Sequence, residues 1–228
     1  MIYVRAVVVR SIRSVVVNNM KIILASKEKF LLEKAYSLLG IPREELKIGF
    51  INTALQVVMD QEYLKYMNEY FSAMALSGID FKQFDISRKT ETEILDFFSD
   101  RNVVQVSGGN PFYLLKNIRE VGFDLILKNL LEAGLSYVGC SSGSYIMCPT
   151  IEVGGWKVDR DRHGVTDMTA LNYVPFLIKC HFTDDSKEGV IEKAKTLKYP
   201  LKVLRDDQCF YINDGNISFF GDSEEVWL

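Results

Sequence analysis

From Met20 onward, short apolar runs alternate with stretches in which apolar residues recur at helical spacing. The runs are rich in β-branched and aromatic residues and end at turn residues, which predicts buried strands. Five such strands are predicted, at Lys21–Ala25, Lys47–Asn52, Phe81–Ile86, Val103–Ser107 and Ser136–Cys140. Helices are predicted between them, at Lys27–Leu39, Gln61–Ser77, Glu91–Phe98 and as two segments within Pro111–Glu132. This alternation indicates an α/β fold of three α/β/α layers, in which helices cover both faces of a mostly parallel sheet.

The last third of the chain has a different pattern, with short strands and few helical stretches. Four further strands are predicted there, at Pro175–Phe182, Leu201–Arg205, Cys209–Ile212 and Asn216–Phe220. Residues 213–215, Asn-Asp-Gly, separate the last two and are typical of a hairpin turn. Because the chain contains no repeat, low-complexity tract or linker, residues 20–228 are predicted to form a single domain.

The longest predicted helix, Gln61–Ser77, is amphipathic. Its apolar residues recur at helical spacing and are Tyr63, Met67, Tyr70, Phe71 and Met74. Such a stripe is typical of a surface that faces the core. We therefore expect these side chains, including Tyr63, to have a packing role.

Residues 1–19 differ in composition from the rest of the chain. They contain three arginines, seven valines and no acid. The arginines interrupt every apolar run, which argues against a secretory signal with its unbroken core of ~7–15 residues. The β-branched valines disfavour the amphipathic helix of a transit peptide. We expect residues 1–19 to be a poorly integrated extension and the functional protein to start at Met20.

Composition and charge narrow the class of protein. Hydrophobic residues make up 48% of the chain and charged residues 25%, which fits a globular protein with a packed core. The net charge of −3 gives no basic footprint for nucleic acid, and no apolar stretch approaches the ~18 residues needed to cross a bilayer. The four cysteines include no CxxC pair, so neither a zinc site nor a disulfide framework is predicted. We expect a cytoplasmic protein with no nucleic-acid or membrane partner.

A Gly-x-Ser-x-Gly sequence, residues 139–143, lies at the end of the predicted strand Ser136–Cys140 and before a predicted short helix. Glycines at this spacing permit the sharp strand-to-helix turn that exposes a nucleophilic serine hydroxyl. The helix start behind it directs backbone N–H groups at a developing oxyanion. Ser141 is therefore the candidate nucleophile, against the alternative of an ordinary small-residue turn. Cys140 is a second candidate, but it precedes the strained position of the turn.

Of the two histidines, His181 follows a mostly apolar predicted strand, at the end where open α/β sheets form ligand sites. An imidazole there suits a general base that takes the serine proton at neutral pH. A hydrogen-bonded structural histidine is the alternative. His163 lies in a charged stretch and is expected in a solvated loop. Asp206 and Asp207 end another predicted strand, and either carboxylate could orient His181.

A Gly-Gly-Asn-Pro sequence, residues 108–111, ends one predicted strand and opens a helix. Asn110 suits the N-cap, and Pro111 suits the first helical position. The paired glycines allow a backbone N–H to approach a substrate closely. The sequence fits neither common nucleotide-binding pattern, so nucleotide binding is not expected. Gly108, Gly109 and Asn110, together with the N–H of Ser142, are predicted to bind the oxyanion or the substrate.

Three ordered motifs resemble peptidase family S51, the group of dipeptidase E and cyanophycinase. The family's G-G-G-N-x-F-x-L-L segment is matched by residues 107–115, its G-x-S-A-G elbow by 139–143 and its A-L-N-x-V-P-F…H-F segment by 170–182. The resemblance covers roughly Met20 to the C-terminus. It implies a flavodoxin-like fold related to class I glutamine amidotransferases. It also implies Ser141 as nucleophile, His181 as base and an acid near Asp206, where dipeptidase E carries Glu.

Departures from the family pattern bear on substrate preference. Ser142 replaces alanine, Pro111 a common threonine, and Cys180 a proline. The stretch after His181 lacks the arginine with which dipeptidase E binds the aspartyl carboxylate of its substrate. Lys187 or Lys193 is the available replacement, but lysine lacks the bidentate fork of arginine. A strong preference for N-terminal Asp is therefore not expected.

The sequence predicts a serine exopeptidase, most simply a dipeptidase, that hydrolyses short peptides through Ser141, His181 and Asp206. No metal and no organic cofactor is implied. The expected partner is a small peptide, and the expected oligomeric state is a monomer or a homodimer. Two alternatives stay open, a cyanophycinase-like enzyme that cleaves β-aspartyl bonds and a non-catalytic binding protein on the same scaffold.

Overall fold

The computed structural model describes the backbone of residues 3–7 and all of residues 20–157 and 161–228. The strands are β1 Tyr3–Val7, β2 Lys21–Ala25, β3 Lys47–Ile51, β4 Asp80–Phe84, β5 Val103–Val106, β6 Ser136–Cys140, β7 Leu177–Lys179, β8 Leu201–Val203, β9 Gln208–Asn213 and β10 Asn216–Gly221. The α-helices are α1 Glu28–Glu33, α2 Gln61–Leu76, α3 Glu91–Phe98, α4 Pro111–Val121, α5 Phe123–Glu132, α6 Ser142–Tyr145 and α7 Lys187–Ala194.

Eight strands form the main sheet, in the order β1-β10-β9-β2-β6-β5-β3-β4. The five strands from β2 to β4 pair in parallel, whereas β9, β10 and β1 are added in antiparallel orientation. Strands β7 and β8 form a separate two-stranded parallel sheet. Because parallel strands carry their carboxyl ends to one edge, the residues that follow β2, β5 and β6 lie close together there.

Both faces of the main sheet are covered by helices. Along β2, Ile22 and Leu24 point into a core built with helices α3 to α5, and Ile23 and Ala25 point into a second core built with α1 and α2. This period-2 alternation of fully buried residues is what a sheet between two helical layers requires. The predicted three-layer α/β/α fold is confirmed.

Local signals set most element boundaries. The Asp60 side chain accepts hydrogen bonds from two N–H groups at the start of α2, and Thr90 and Glu93 form a capping box on α3. The predicted hairpin turn between β9 and β10 is present, but Asn213 is the last residue of β9, so the loop is Asp214 and Gly215. Both have positive φ, 50° and 78°, as a two-residue hairpin loop of this type demands.

Several elements differ from the prediction. Helix α7 is not predicted, and β7 is shorter than the predicted strand Pro175–Phe182. In two other elements, tertiary contacts reshape the chain. The predicted helix Lys27–Leu39 is broken after Glu33, and a 3₁₀ turn, Ala35–Leu39, completes it. From this turn the Tyr36 hydroxyl donates to the buried Gln105 Oε1 at 2.6 Å. Strand β4 ends before Ile86, whose N–H bonds to the Thr53 hydroxyl at 3.0 Å instead of continuing the sheet.

The predicted extension at residues 1–19 is described only at β1, an edge strand that pairs with β10. Residues 1–2 and 8–19 lie outside the described residues, so its poor integration stays a prediction. Within the described ranges, no helix is long and apolar enough to span a membrane.

Candidate active site

Ser141 lies on a sharp turn between β6 and α6. Its backbone has φ 46° and ψ −102°, which is strained for a residue with a side chain. Behind the turn, a Cβ at Gly143 would clash with the carbonyl of Val106 on the neighbouring strand, so only glycine fits. This is the tight strand-to-helix turn that the Gly-x-Ser-x-Gly spacing predicts, and it leaves Ser141 facing a cleft.

His181 follows β7 and also has a positive φ, 57°. Its N–H donates to the Ser26 hydroxyl at 2.8 Å, and Ser26 directly follows β2. The imidazole lies between the other two predicted residues, with Nε2 at 3.1 Å from the Ser141 hydroxyl and Nδ1 at 2.6 Å from Asp206 Oδ1. An ionised Asp206 accepts a hydrogen bond from Nδ1–H, which leaves Nε2 as the acceptor for the serine proton.

Asp206, and not Asp207, is the acid that contacts the imidazole. Asp206 also accepts a hydrogen bond from Ser26 at 3.0 Å and pairs with Lys27 at 3.3 Å. Burial raises the pKa of Asp206, but the His181 hydrogen bond, the charges of His181 and Lys27 and the Ser26 hydroxyl outweigh it and hold that pKa well below its ordinary value. Asp207 instead accepts from the Ser223 hydroxyl at 3.2 Å.

The Gly-Gly-Asn segment lies beside the serine. Asn110 caps α4 by accepting from two N–H groups, and Pro111 begins the helix, as predicted. Gly109 has φ 128°, and a Cβ there would clash with the carbonyl of Ala54. The Ser142 hydroxyl donates to the Gly109 carbonyl at 2.7 Å and so joins this segment to the serine turn.

Some backbone N–H groups beside Ser141 already donate a hydrogen bond within the protein, and others are available to a substrate. The N–H of Gly108 donates to Glu28 Oε1 at 3.0 Å and is therefore not available to an oxyanion. Those of Gly109 and Ser142 donate to no acceptor among the described residues. The Asn110 N–H donates to the Ala54 carbonyl at 2.9 Å and is engaged as well. Of the four residues predicted to bind the oxyanion or the substrate, Gly109 and Ser142 therefore keep an available backbone N–H.

Cys140 does not reach the cleft. Its side chain is fully buried between the sheet and α1 and α2, and burial raises the pKa of its thiol well above the ordinary value. A thiolate is the nucleophilic form of cysteine, so this environment leaves Cys140 inert at neutral pH. All four cysteines are free and buried.

The cleft has a volume of about 1160 Å³ and is bounded by the loop after β3, helix α2, the segment around Trp156 and helix α7. Two side chains line the cleft that the sequence does not place there. Tyr63 packs partly against the core, as predicted, and also lines the cleft, whereas Met67, Tyr70 and Met74 of the same helix are buried in the core. His163, predicted in a solvated loop, also lines the cleft, and its ring packs edge-on against Tyr113 with centroids 5.0 Å apart.

Three consecutive residues at the end of β2 were missed by sequence reasoning. Ser26 bonds to His181 and Asp206, Lys27 pairs with Asp206, and the buried Glu28 contacts the Gly108 loop. Their position at the carboxyl end of a predicted parallel strand was the available signal, since that edge is where ligand sites form.

Comparisons with known proteins place this geometry in context. The sequence profile of peptidase family S51 matches residues 25–220. An uncharacterised peptidase of Pasteurella multocida is 28% identical over 172 residues, 73% of this chain and 81% of that protein. Peptidase E of Escherichia coli is 38% identical over 102 residues, 45% of this chain and 42% of that protein.

Solved structures show the same fold. A candidate peptidase E of Listeria monocytogenes EGD-e superposes with a TM-score of 0.75 at 20% identity, covering 92% of this chain and 100% of its own. A peptidase from an acI-B1 actinobacterium superposes with a TM-score of 0.63 at 14% identity, covering 90% of this chain and 88% of its own.

Proposed function

Because the chain belongs to peptidase family S51 and is a serine-type peptidase, we propose that it is an exopeptidase that hydrolyses short peptides with Ser141, His181 and Asp206. The observation that carries this proposal is the unbroken hydrogen-bonded chain from the Ser141 hydroxyl through both nitrogens of His181 to Asp206, at 3.1 and 2.6 Å. These distances lie within the range required for a nucleophile and its general base.

In the proposed reaction, Ser141 Oγ attacks the carbonyl carbon of the scissile peptide bond while its proton passes to His181 Nε2. The N–H groups of Gly109 and Ser142 stabilise the oxyanion, each contributing about 3 to 4 kcal/mol. His181 then gives the proton to the leaving amine, and an ester with Ser141 remains. A water molecule, deprotonated by His181, hydrolyses this ester and restores the serine.

Asp206 has a fixed electrostatic role in this cycle. It holds the tautomer in which Nε2 is the acceptor, and it stabilises the imidazolium that forms when His181 takes the proton. Its lowered pKa supports this role, because a carboxylate that stays ionised keeps its negative charge beside the ring. The Lys27 ammonium, at 3.3 Å from Oδ2, reinforces the ionised state.

The substrate class is proposed from the relatives and the cleft. The Escherichia coli relative is named peptidase E. The cleft, at about 1160 Å³, accommodates a short peptide, and its walls combine aromatic residues such as Tyr66 and Trp156 with both acidic and basic side chains. This mixed lining supports a peptidase that accepts several N-terminal side chains.

Hydrolysis of a library of dipeptides, with the Ser141→Ala variant as the blank, tests the proposal. Including N-terminal Asp, β-aspartyl and blocked peptides identifies the substrate class in one experiment. We expect unblocked α-dipeptides to be cleaved by the wild type and not by Ser141→Ala. Cleavage of only β-aspartyl peptides would establish the cyanophycinase-like alternative, and no cleavage of any peptide would establish the non-catalytic one.

A further inference from the structure

Glu28 is a buried acid at the cleft to which the reaction above assigns no role. It is the first residue of α1, is 2% exposed and lines the cleft with Ser141 and His181. Its Oε1 accepts from the N–H of Gly108 at 3.0 Å, and its Oε2 accepts from the Tyr66 hydroxyl at 3.2 Å. An ionised carboxylate can accept about four hydrogen bonds, so it has room for a further donor.

No cation of the described part of the chain neutralises Glu28. Its neighbour Lys27 pairs with Asp206 instead, and no Lys, Arg or His nitrogen lies within salt-bridge distance of the Glu28 carboxylate there. A buried and unpaired carboxylate is unfavourable. Burial raises the pKa of Glu28, although the Gly108 N–H, the Tyr66 hydroxyl and the charge of His181 oppose the rise. A cation from outside the chain would relieve this cost.

The Glu28 carboxylate is also close to the nucleophile. A Cβ placed on Gly108 would lie 3.4 Å from Glu28 Oε1 and 3.4 Å from Ser141 Cβ, so both border the same small space. The Tyr63 hydroxyl would clash with that Cβ, so it occupies the space between them. A ligand group that reaches Glu28 from the cleft therefore does so beside the Tyr63 phenol.

The N-terminal ammonium group of a peptide fits this position. In the first residue of a peptide, the nitrogen is about 2.5 Å from the carbonyl carbon, and that carbon approaches the attacking oxygen to about 3 to 3.5 Å. When the first peptide bond is cleaved, the ammonium therefore lies within about 6 Å of Ser141 Oγ. The Glu28 carboxylate is close enough to Ser141 to contact this ammonium group. When an internal peptide bond is cleaved, the substrate has no ammonium group at that position.

We infer that Glu28 binds the α-ammonium group of the substrate and thereby makes the enzyme specific for the first peptide bond. This inference rests on the proposed function and adds to it the group by which a free N-terminus is recognised. The other acids that line the cleft differ in burial. Asp60, Glu62 and Asp161 are exposed. Asp60 already faces Lys157 at 4.0 Å, and Asp161 faces His163 at 3.5 Å.

The test compares the best-cleaved dipeptide of the library with its N-acetyl counterpart, which lacks the positive charge. Binding of both is measured by calorimetry to Ser141→Ala and to the same variant carrying Glu28→Gln. We expect the free dipeptide to bind at least about tenfold more tightly than the acetylated one to Ser141→Ala, and the ratio to fall towards one with Glu28→Gln. Glu62→Gln, which removes a cleft acid of the same type from an exposed position, serves as the matched control and should keep the ratio.

A neutral fluorophosphonate separates recognition from structure, since it labels a reactive serine without needing an ammonium group. With Glu28→Gln in the otherwise wild-type enzyme, labelling within about threefold of the wild-type rate supports the inference. Strongly slowed labelling, with equal loss of affinity for both peptides, would mean that Glu28 only supports the Gly108 loop and would overturn it.

The remaining outcomes of these measurements also test the inference. An unchanged ratio with Glu28→Gln overturns the inference but leaves the proposed function intact. Equal affinity of Ser141→Ala for the free and acetylated peptides overturns it too, and this arm needs no substitution at Glu28 if that variant fails to fold. If the wild type cleaves no peptide, the proposed function fails first and the inference fails with it.

Discussion

The Ser26 hydroxyl accepts a hydrogen bond from the backbone N–H of His181 at 2.8 Å, although the two residues follow strands of different sheets and are 155 positions apart. His181 has φ 57°, a conformation that an L-residue keeps only when its surroundings hold it. The same hydroxyl donates to Asp206 at 3.0 Å. Ser26 therefore fixes both the base and the acid of the site while lying outside the proposed proton path.

Substitution of Ser26 by alanine tests this positioning role. We expect kcat to fall about 10- to 100-fold with little change in KM, because a small misplacement of the base is enough for such a loss. Ser37→Ala, which removes an exposed hydroxyl bonded only to a nearby carbonyl, is the control. Steady-state kinetics of both variants checks the prediction, and an unchanged kcat for Ser26→Ala contradicts it.

Alanine substitutions at the adjacent residues Ser141 and Cys140 test which side chain is the nucleophile. Ser141→Ala should abolish both peptide hydrolysis and covalent labelling by a fluorophosphonate. Cys140→Ala should keep substantial activity, because the Cys140 thiol is buried and its pKa is raised. Labelling that persists in Ser141→Ala and disappears in Cys140→Ala would reverse the assignment.

The two aspartates after β8 form a matched pair. Asp206→Asn should lower kcat by around 10⁴, the size of loss seen when a triad histidine is held in the wrong tautomer. Asp207→Asn should have a much smaller effect, because Asp207 contacts Ser223 and not the imidazole. Thermal unfolding of both variants controls for loss of the fold, and equal activity of Asp206→Asn and the wild type would remove Asp206 from the mechanism.

Preference for an N-terminal aspartate should be weak. The cation of helix α7 that lines the cleft is Lys193, which lies 5.5 Å from the centre of the Trp156 ring, and Lys187 is not among the lining residues. Lysine does not form the bidentate pair that makes arginine selective for carboxylates. We expect kcat/KM for Asp-Xaa dipeptides to exceed that for Ala-Xaa by no more than about tenfold, or about 1.4 kcal/mol.

A thousandfold preference for Asp would contradict this expectation. The kinetics of Lys193→Met and Lys187→Met would then show which of the two cations binds the carboxylate. A loss of the preference in Lys193→Met alone would fit the position of that residue in the cleft.

Removal of residues 1–19 should leave peptidase activity unchanged. The only strand described in this segment, β1, pairs with β10 at the edge of the sheet, and strand β9 separates β10 from β2. A chain that starts at Met20 keeps every residue of the proposed site. The check is kcat/KM together with the melting temperature, and a large loss in either would show that the segment is built into the fold.

The parts of the site that the sequence predicts are those set by local chemistry. Ser141 was identified because its neighbours dictate a strand, a sharp turn and a helix, and Asn110 because an N-cap followed by proline is a local signal. The strand before His181 was also recognisable, although β7 is shorter than predicted. In each case the residues within about five positions contain the information.

The parts that the sequence does not predict depend on contacts between distant segments. Periodicity places Tyr63 on the apolar side of α2, where it packs against the core, but only the position of α2 beside the cleft shows that this residue also lines the cleft. The charged neighbours of His163 indicate solvent, whereas in the structure this residue packs against Tyr113 and lines the cleft. Glu28 follows a lysine in a polar stretch, and nothing local distinguishes it from a surface acid.

The order of the strands also has a consequence for synthesis of the protein on the ribosome. Strand β2 is among the first segments to be made, yet its two neighbours in the sheet are β6 and β9, and β9 begins at Gln208. A nascent chain that has not yet exposed Asp206 and β9 has an open sheet edge at β2 and no acid beside His181. Under the proposed mechanism, we therefore expect efficient peptide hydrolysis only once almost the whole chain has emerged, and strongly reduced activity in incomplete translation products.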